Sequence, residues 1–450
     1  MSVGVARTPS LTLRIPRFNA EVTAVSLLIF VYTLLPLDRG VPGIPFAGKP
    51  LAPSVCATMA LWFYLSYTSK NSIWKYLKLR YVRLQGACTL LLFVASFDTE
   101  FPMRAMQWAI LYFCVFGLNY VILVYMIERY GLNWLIRTTL FCCSLAAFIG
   151  VLDTIGGFRI PLYQKFIDES MKSNGEAITG FDIVRGIGTQ GNPILMATLM
   201  MVCIPYVFNV KSPILRVVFL AILAAGAAIT VSRTIALGII VFVIGLAVIY
   251  TRKFWICLGA LCVLATGVFL SGAADKLLDD PIVMVWASRI GIGSSAGSEG
   301  SENVATRQEA SKLAISKILD TWGPKEVVLG AGPGSSTEVG QEFRTGQDTI
   351  DNSTLTVLYE RGFLGFILFY TAFFYILWQT RKQAKTSLHW YNLVALLAAG
   401  MSFDFEGNST FNLLVMGSLA IVSTVPFAAV NRTTDAPELP TETPMGEDPG

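Results

Sequence analysis

Four polar clusters interrupt an otherwise apolar chain, and each has residue types suited to handling an anion. The first is Phe181-Asp182-Ile183-Val184-Arg185-Gly186-Ile187-Gly188-Thr189-Gln190-Gly191-Asn192-Pro193. The second is Ser232-Arg233-Thr234, and the third is Asp348-Thr349-Ile350-Asp351-Asn352-Ser353-Thr354. The fourth is Asp404-Phe405-Glu406-Gly407-Asn408-Ser409-Thr410. Three of them hold a helix opening: Gly191-Asn192-Pro193, Asp351-Asn352-Ser353 and Gly407-Asn408-Ser409. Asparagine is a strong N-cap and proline suits the first helical turn, so the plain reading is three ordinary caps. The functional reading is that helix N-termini offer free N–H groups and a positive dipole end to an anion. With Arg185 and Arg233 beside them, they would make an anion-binding floor. A diphosphate suits paired guanidinium groups best, through bidentate charge-assisted bonds. Asp351, Asp404 and Glu406 are the carboxylates placed to take a proton there, with Asp351 first.

Several other chemistries are excluded. The single histidine, His389, rules out a Ser-His-Asp triad in the outer loops and any multi-histidine metal cluster. All eight cysteines fall in apolar stretches, which leaves no disulfide framework for the polar loops. Gly330-Ala331-Gly332-Pro333-Gly334 has the look of a phosphate cradle, but no Lys-Ser/Thr follows and no βαβ unit surrounds it. A tight turn closing a long loop is the better reading. The net charge of +4 gives no case for nucleic acid. No metal or other cofactor is called for.

The elements that must position these clusters are membrane helices. Of 450 residues, 54% are hydrophobic and 14% charged, against roughly a quarter charged in soluble proteins. Mean hydropathy is +0.59. This composition predicts an all-α polytopic membrane protein, since a span needs about 20 mostly apolar residues. Twelve stretches qualify: 20–37, 50–68, 84–98, 105–127, 132–152, 193–210, 214–231, 234–250, 254–271, 355–378, 390–404 and 410–430. Lysine and arginine then set the orientation. One set of ends carries Arg7, Arg14, Arg17, Lys70, Lys75, Lys78, Arg80, Arg83, Arg129, Lys211, Arg216, Arg252, Lys253, Arg381, Lys382, Lys385 and Arg432. The short loops on the other side carry only Arg39, Lys49, Arg104 and Arg233. Both termini are expected in the cytoplasm, with residues 1–19 leading in and a disordered tail over 431–450.

Two long loops are expected outside, 153–192 between spans five and six and 272–350 between spans nine and ten. The second carries seven basic and eleven acidic residues. Within it, residues 305–319 place Ala310, Leu313, Ala314, Lys317 and Ile318 on one stripe, which predicts a helix lying on the membrane or on the bundle. Arg233 sits in a very short outward turn, where a merely topogenic arginine would be on the wrong side. Glu360-Arg361 lies inside the tenth stretch and reads as a self-neutralising pair.

An ordered set of motifs carries a resemblance. Val328-Leu329-Gly330-Ala331-Gly332-Pro333-Gly334, Asp351-Asn352-Ser353-Thr354-Leu355 and Tyr359-Glu360-Arg361-Gly362-Phe363-Leu364-Gly365 resemble the O-antigen ligase and Wzy-type polymerase superfamily. Arg185 with Gly191-Asn192-Pro193, and Ser232-Arg233-Thr234, fall where that family has similar signatures. The resemblance implies a bacterial inner-membrane glycosyltransferase of the GT-C type, independent of metal and of nucleotide sugars. Its active site would face the periplasm and move glycan from undecaprenyl diphosphate to an acceptor hydroxyl. The family's functional arginines match Arg185 and Arg233 and extend to Arg307. The ligase branch usually has His-Asn before span ten. Here Asp351-Asn352 stands instead, which favours the polymerase branch.

The expected function is therefore polymerisation of lipid-linked repeat units for O-antigen, capsule or exopolysaccharide. Arg185 and Arg233 would clamp the diphosphate and Asp351 would act as base, with Asp404 and Glu406 as alternatives. Asn192, Asn352, Arg307, Asp404 and Glu406 would line the substrate. Implied partners are the undecaprenyl diphosphate-linked glycan, membrane lipid and a polysaccharide chain-length regulator, but not nucleic acid. Two rivals stand beside this reading: a ligase moving finished glycan to lipid A core or protein, and a twelve-span transporter. A transporter would place its charges near the midplane on broken helices, whereas these clusters lie at span ends.

Overall fold

The computed structural model describes residues 19–34, 53–70, 72–99, 102–156, 189, 193–230, 232, 235, 237–251, 311–336, 352–400 and 409–434. Of the described residues 89% are helical and none lies in a strand, so the protein is all-α as its composition predicts. The first helix, α1 (Ala20–Leu34), opens on Asn19. The Asn19 carboxamide oxygen accepts from the amides of Glu21 and Val22, at 3.0 and 3.4 Å, which satisfies two otherwise orphaned donors. Next come α2 (Pro53–Thr68), a 3-10 turn (Ser72–Lys78) and α3 (Arg80–Ser96). A single rod follows, made of α4 (Pro102–Tyr112), a π-helical stretch (Phe113–Leu118) and α5 (Asn119–Tyr130).

Beyond the rod lie α6 (Asn133–Gly156), α7 (Pro193–Val207), α8 (Pro213–Thr230) and α9 (Leu237–Thr251). A helix over 311–321 (α10) and the short α11 (Pro324–Leu329) come before α12 (Ser353–Gln379). A second 3-10 turn (Arg381–Lys385), α13 (Leu388–Gly400) and α14 (Ser409–Thr434) complete the described chain. Four helical segments are long and apolar enough to cross a membrane: the rod over Ala105–Tyr130, α6 over Asn133–Thr154, α8 and α12. Shorter apolar helices lie at α1, α2, α7, α9 and the start of α14. The stretch at 254–271 lies outside the described residues, as does most of both long loops.

These helices share one apolar core. At its centre Phe116 of the rod meets Phe369 of α12 edge to face at 5.2 Å, and Tyr81 of α3 meets Phe373 of α12 at 5.6 Å. The outer flanks stay apolar too. On α8, Ile214, Val217 and Val218 are exposed, and on α12 so are Phe363, Ile367 and Phe374. Such continuous apolar flanks are suited to lipid rather than water. The protein is membrane-embedded on this ground.

Polar contacts gather at the two ends of the bundle. At one end Glu21 of α1 accepts from Tyr130 at 2.7 Å and from Tyr125 at 3.3 Å, and it pairs with Arg129 at 3.4 Å. This fastens the start of α1 to the end of α5. Nearby, Tyr76 donates to Glu128 at 2.6 Å. Burial and the Glu128 carboxylate hold the Tyr76 hydroxyl well above the usual phenol range. At the other end of α1, Thr189 donates to the Thr33 carbonyl at 2.9 Å and Thr410 donates to the Tyr32 carbonyl at 2.7 Å.

The helix expected over 305–319 is present over 311–321. It packs on the bundle, with Ala314 buried against Leu355 and Tyr359, and Leu313, Ile318 and Trp322 close the same small cluster.

Candidate functional site around the first turns of α12

Of the eight residues that the sequence nominates, Asn352 is the one described. Arg185, Asn192, Arg233, Arg307, Asp351, Asp404 and Glu406 lie outside the described residues. Asn352 has extended backbone, and its side-chain oxygen accepts from the Leu355 amide at 3.2 Å. Its carbonyl accepts from Thr356 at 2.9 Å. It is thus the N-cap of α12, one of the two roles its sequence position allows. Ser353, which follows it, is fully buried.

Members of the other clusters give partial bearings. Thr189, from the first cluster, and Thr410, from the fourth, both reach the last turn of α1. Those two residues are therefore anchored to neighbouring carbonyls of one helix end. Ser232 of the second cluster is buried at the turn between α8 and α9, and its carbonyl accepts from Ile235 at 3.2 Å.

Nearly three turns below Asn352, α12 is broken. Gly362 has φ +62°, outside helical space, so the ladder cannot continue through it. A break of this kind leaves carbonyls just upstream without their usual donors. Here the glycine-rich loop supplies the donors: Ala331 donates to the Tyr359 carbonyl at 2.9 Å, and Gly332 to the Glu360 carbonyl at 3.2 Å. The fit is backbone to backbone. A Cβ on Gly330 (φ +79°) would come within 2.5 Å of the Glu360 and Arg361 backbone, and one on Gly362 within 2.5 Å of Gly330 and Val328. The expected tight turn is thus a loop plugged into a helix break.

Glu360 and Arg361 sit at this junction, 1% and 2% exposed. Glu360 accepts from Tyr112 of α4 at 2.7 Å and from Ser336 at 2.5 Å. The Arg361 guanidinium lies between two rings, 4.6 Å from the Tyr112 centroid and 4.4 Å from that of Phe369, and donates to the Cys88 sulfur at 3.5 Å. The pair read as self-neutralising is thus held through its neighbours, with Tyr112 shared by both members, because adjacent helical side chains do not face each other. Charged groups at this depth persist only where such partners exist. Chemically the junction is a brace: two hydroxyls, a carboxyl group and a stacked cation lock the loop that carries Ser336 onto α12, whose cap is Asn352.

Sequence reasoning did not connect Tyr112, Ser336 or Cys88 to this place. The usable signal was glycine spacing in two of the motifs, Gly330-Ala331-Gly332 and Arg361-Gly362. Among the described residues, no group of three or more His, Cys, Asp or Glu is arranged to hold a metal. No protein-family model matches the chain, and no curated protein matches it.

Proposed function

We propose that this protein polymerises lipid-linked oligosaccharide repeat units in the bacterial inner membrane, working on the periplasmic side. The observation that carries the reading is the construction around Asn352. The residue before it is the candidate base Asp351, and the helix it caps is anchored by the Glu360 brace. A base that stands, in sequence, immediately ahead of a fixed helix start would suit such a step. The anchoring of Thr189 and Thr410 to one end of α1 supports the same reading, since it brings one residue from each of two nominated clusters to one region.

In the proposed step, the acceptor hydroxyl attacks the anomeric carbon of the donor glycan. Its proton passes to Asp351, the new glycosidic bond forms, and the bond from the anomeric carbon to the diphosphate oxygen breaks. Undecaprenyl diphosphate leaves, with Arg185 and Arg233 stabilising the charge that builds on it. The donor already carries its leaving group, so the step needs no nucleotide sugar. The twelve-span topology, with 272–350 outside, belongs to this proposal.

A deletion strain complemented with variants tests it. Loss of the protein should leave single repeat units on a sizing gel, whereas loss of a ligase would leave long carrier-linked chains. Arg233→Lys keeps charge but not the bidentate fork, and should reduce polymer at least about a hundredfold. Asp351→Asn should do the same while preserving the protein's abundance. Wild-type polymer from Asp351→Asn would move the base to Asp404 or Glu406.

A further inference from the structure

The inner ends of α3 and α12, opposite the glycine dock, hold an arrangement that the glycan reading does not use. Arg80, at the start of α3, stacks on the ring of Tyr375, near the end of α12, at 4.7 Å. That contact brings two basic 3-10 turns to one end of the bundle. Ser72–Lys78 precedes α3, and Arg381–Lys385 begins six residues beyond Tyr375, about 9 Å along a helix. Lys75, Lys78, Arg80, Arg381, Lys382 and Lys385 are all exposed. Neither 69–85 nor 376–392 contains an aspartate or glutamate. Among the described residues none of these six cations forms an ion pair. The neighbouring carboxylate, Glu128, is engaged by Tyr76.

Aromatic rings complete the surface. Trp74 is 49% exposed and Trp378 65% exposed, Arg381 stacks on Trp378 at 4.4 Å, and Lys75 stacks on Tyr76 at 4.7 Å. The bias of inward loops toward lysine and arginine accounts for the sign of the charge. It does not account for cations fixed over aromatic rings, or for two such turns joined through Arg80 and Tyr375. Tryptophan settles at headgroup depth, and an array of cations without carboxylate partners there matches phosphodiesters.

We propose that these two turns form a binding surface for anionic lipid headgroups in the leaflet that this end of the bundle meets. The inference rests on membrane embedding alone and stands whether or not the protein makes glycan.

Native mass spectrometry of the full chain tests it, after extraction from phosphatidylcholine nanodiscs doped with cardiolipin or phosphatidylglycerol. The anionic lipid should be retained in preference to phosphatidylcholine. Lys78→Gln with Lys382→Gln should lower that retention about tenfold, since each cation near the surface contributes separately. Lys312→Gln with Lys317→Gln, which removes the same charge on the helix at 311–321, should leave it unchanged. Equal retention of both lipid types, or equal loss in the two double variants, would overturn the proposal. If the first double variant does not fold, the wild type decides: retention should fall as salt rises, and salt-independent retention would overturn it.

Discussion

Glu360 has two oxygens and two hydroxyl donors from distant parts of the chain, so its burial is compensated by contacts that no local motif encodes. Removing one donor while the carboxyl stays buried should be costly. Tyr112→Phe is expected to destabilise by about 1–3 kcal/mol, read as the unfolding midpoint in mild detergent. Combined with Glu360→Gln, the two effects should fall short of additive by about 1 kcal/mol, because both break one contact. Strict additivity would show that Tyr112 acts elsewhere. At this scale the sequence was legible where chemistry is local. Asn352 was readable as a cap because capping requires only a side-chain oxygen and a neighbouring amide three residues on. Tyr112 and Ser336 were not readable, since a hydroxyl 248 or 24 residues away from its partner leaves no periodic trace.

The break in α12 is the element on which the dock depends. Its two glycines, 330 and 362, face each other across a gap that admits no Cβ. Gly362→Ala should therefore lower stability by about 2 kcal/mol or more, combining a positive φ with a backbone clash. Gly86→Ala, in the interior of α3 with nothing within 4 Å of the added Cβ, should stabilise by about 0.5–1 kcal/mol. Opposite signs in melting experiments on the two variants would establish the dock; a similar small effect from both would remove it. Hydropathy predicted helices because lipid demands long apolar runs, and α1, α2 and α12 begin within a few residues of their expected positions. It could not predict the break. Apolar residues stand on both sides of Glu360-Arg361, and a glycine such as Gly362 or Gly365 in such a run also suits an unbroken helix. The π-helical stretch at Phe113–Leu118 escaped for the same reason.

Taken whole, the bundle has polar ties at both ends of α1 as well as the Glu360 brace inside it. Carboxylate, tyrosine and arginine fasten α1 to α5 at one end, while threonines from two nominated clusters fasten to α1 at the other. The lysine and arginine count gives such ends an expected orientation from sequence, because charge asymmetry survives without any knowledge of packing. Which side chains converge at the threonine end was beyond sequence, since convergence depends on packing between helices hundreds of residues apart. The claim on which the proposed function turns is that this end grips a lipid diphosphate and extends the glycan on it. Purified protein in vesicles, given undecaprenyl diphosphate carrying one repeat unit, tests it most directly. A ladder of lengthened, carrier-linked glycans is the expected product, with little or none from Arg233→Lys. A substrate that stays at one repeat unit with the wild-type protein, or a full ladder from Arg233→Lys, would contradict it.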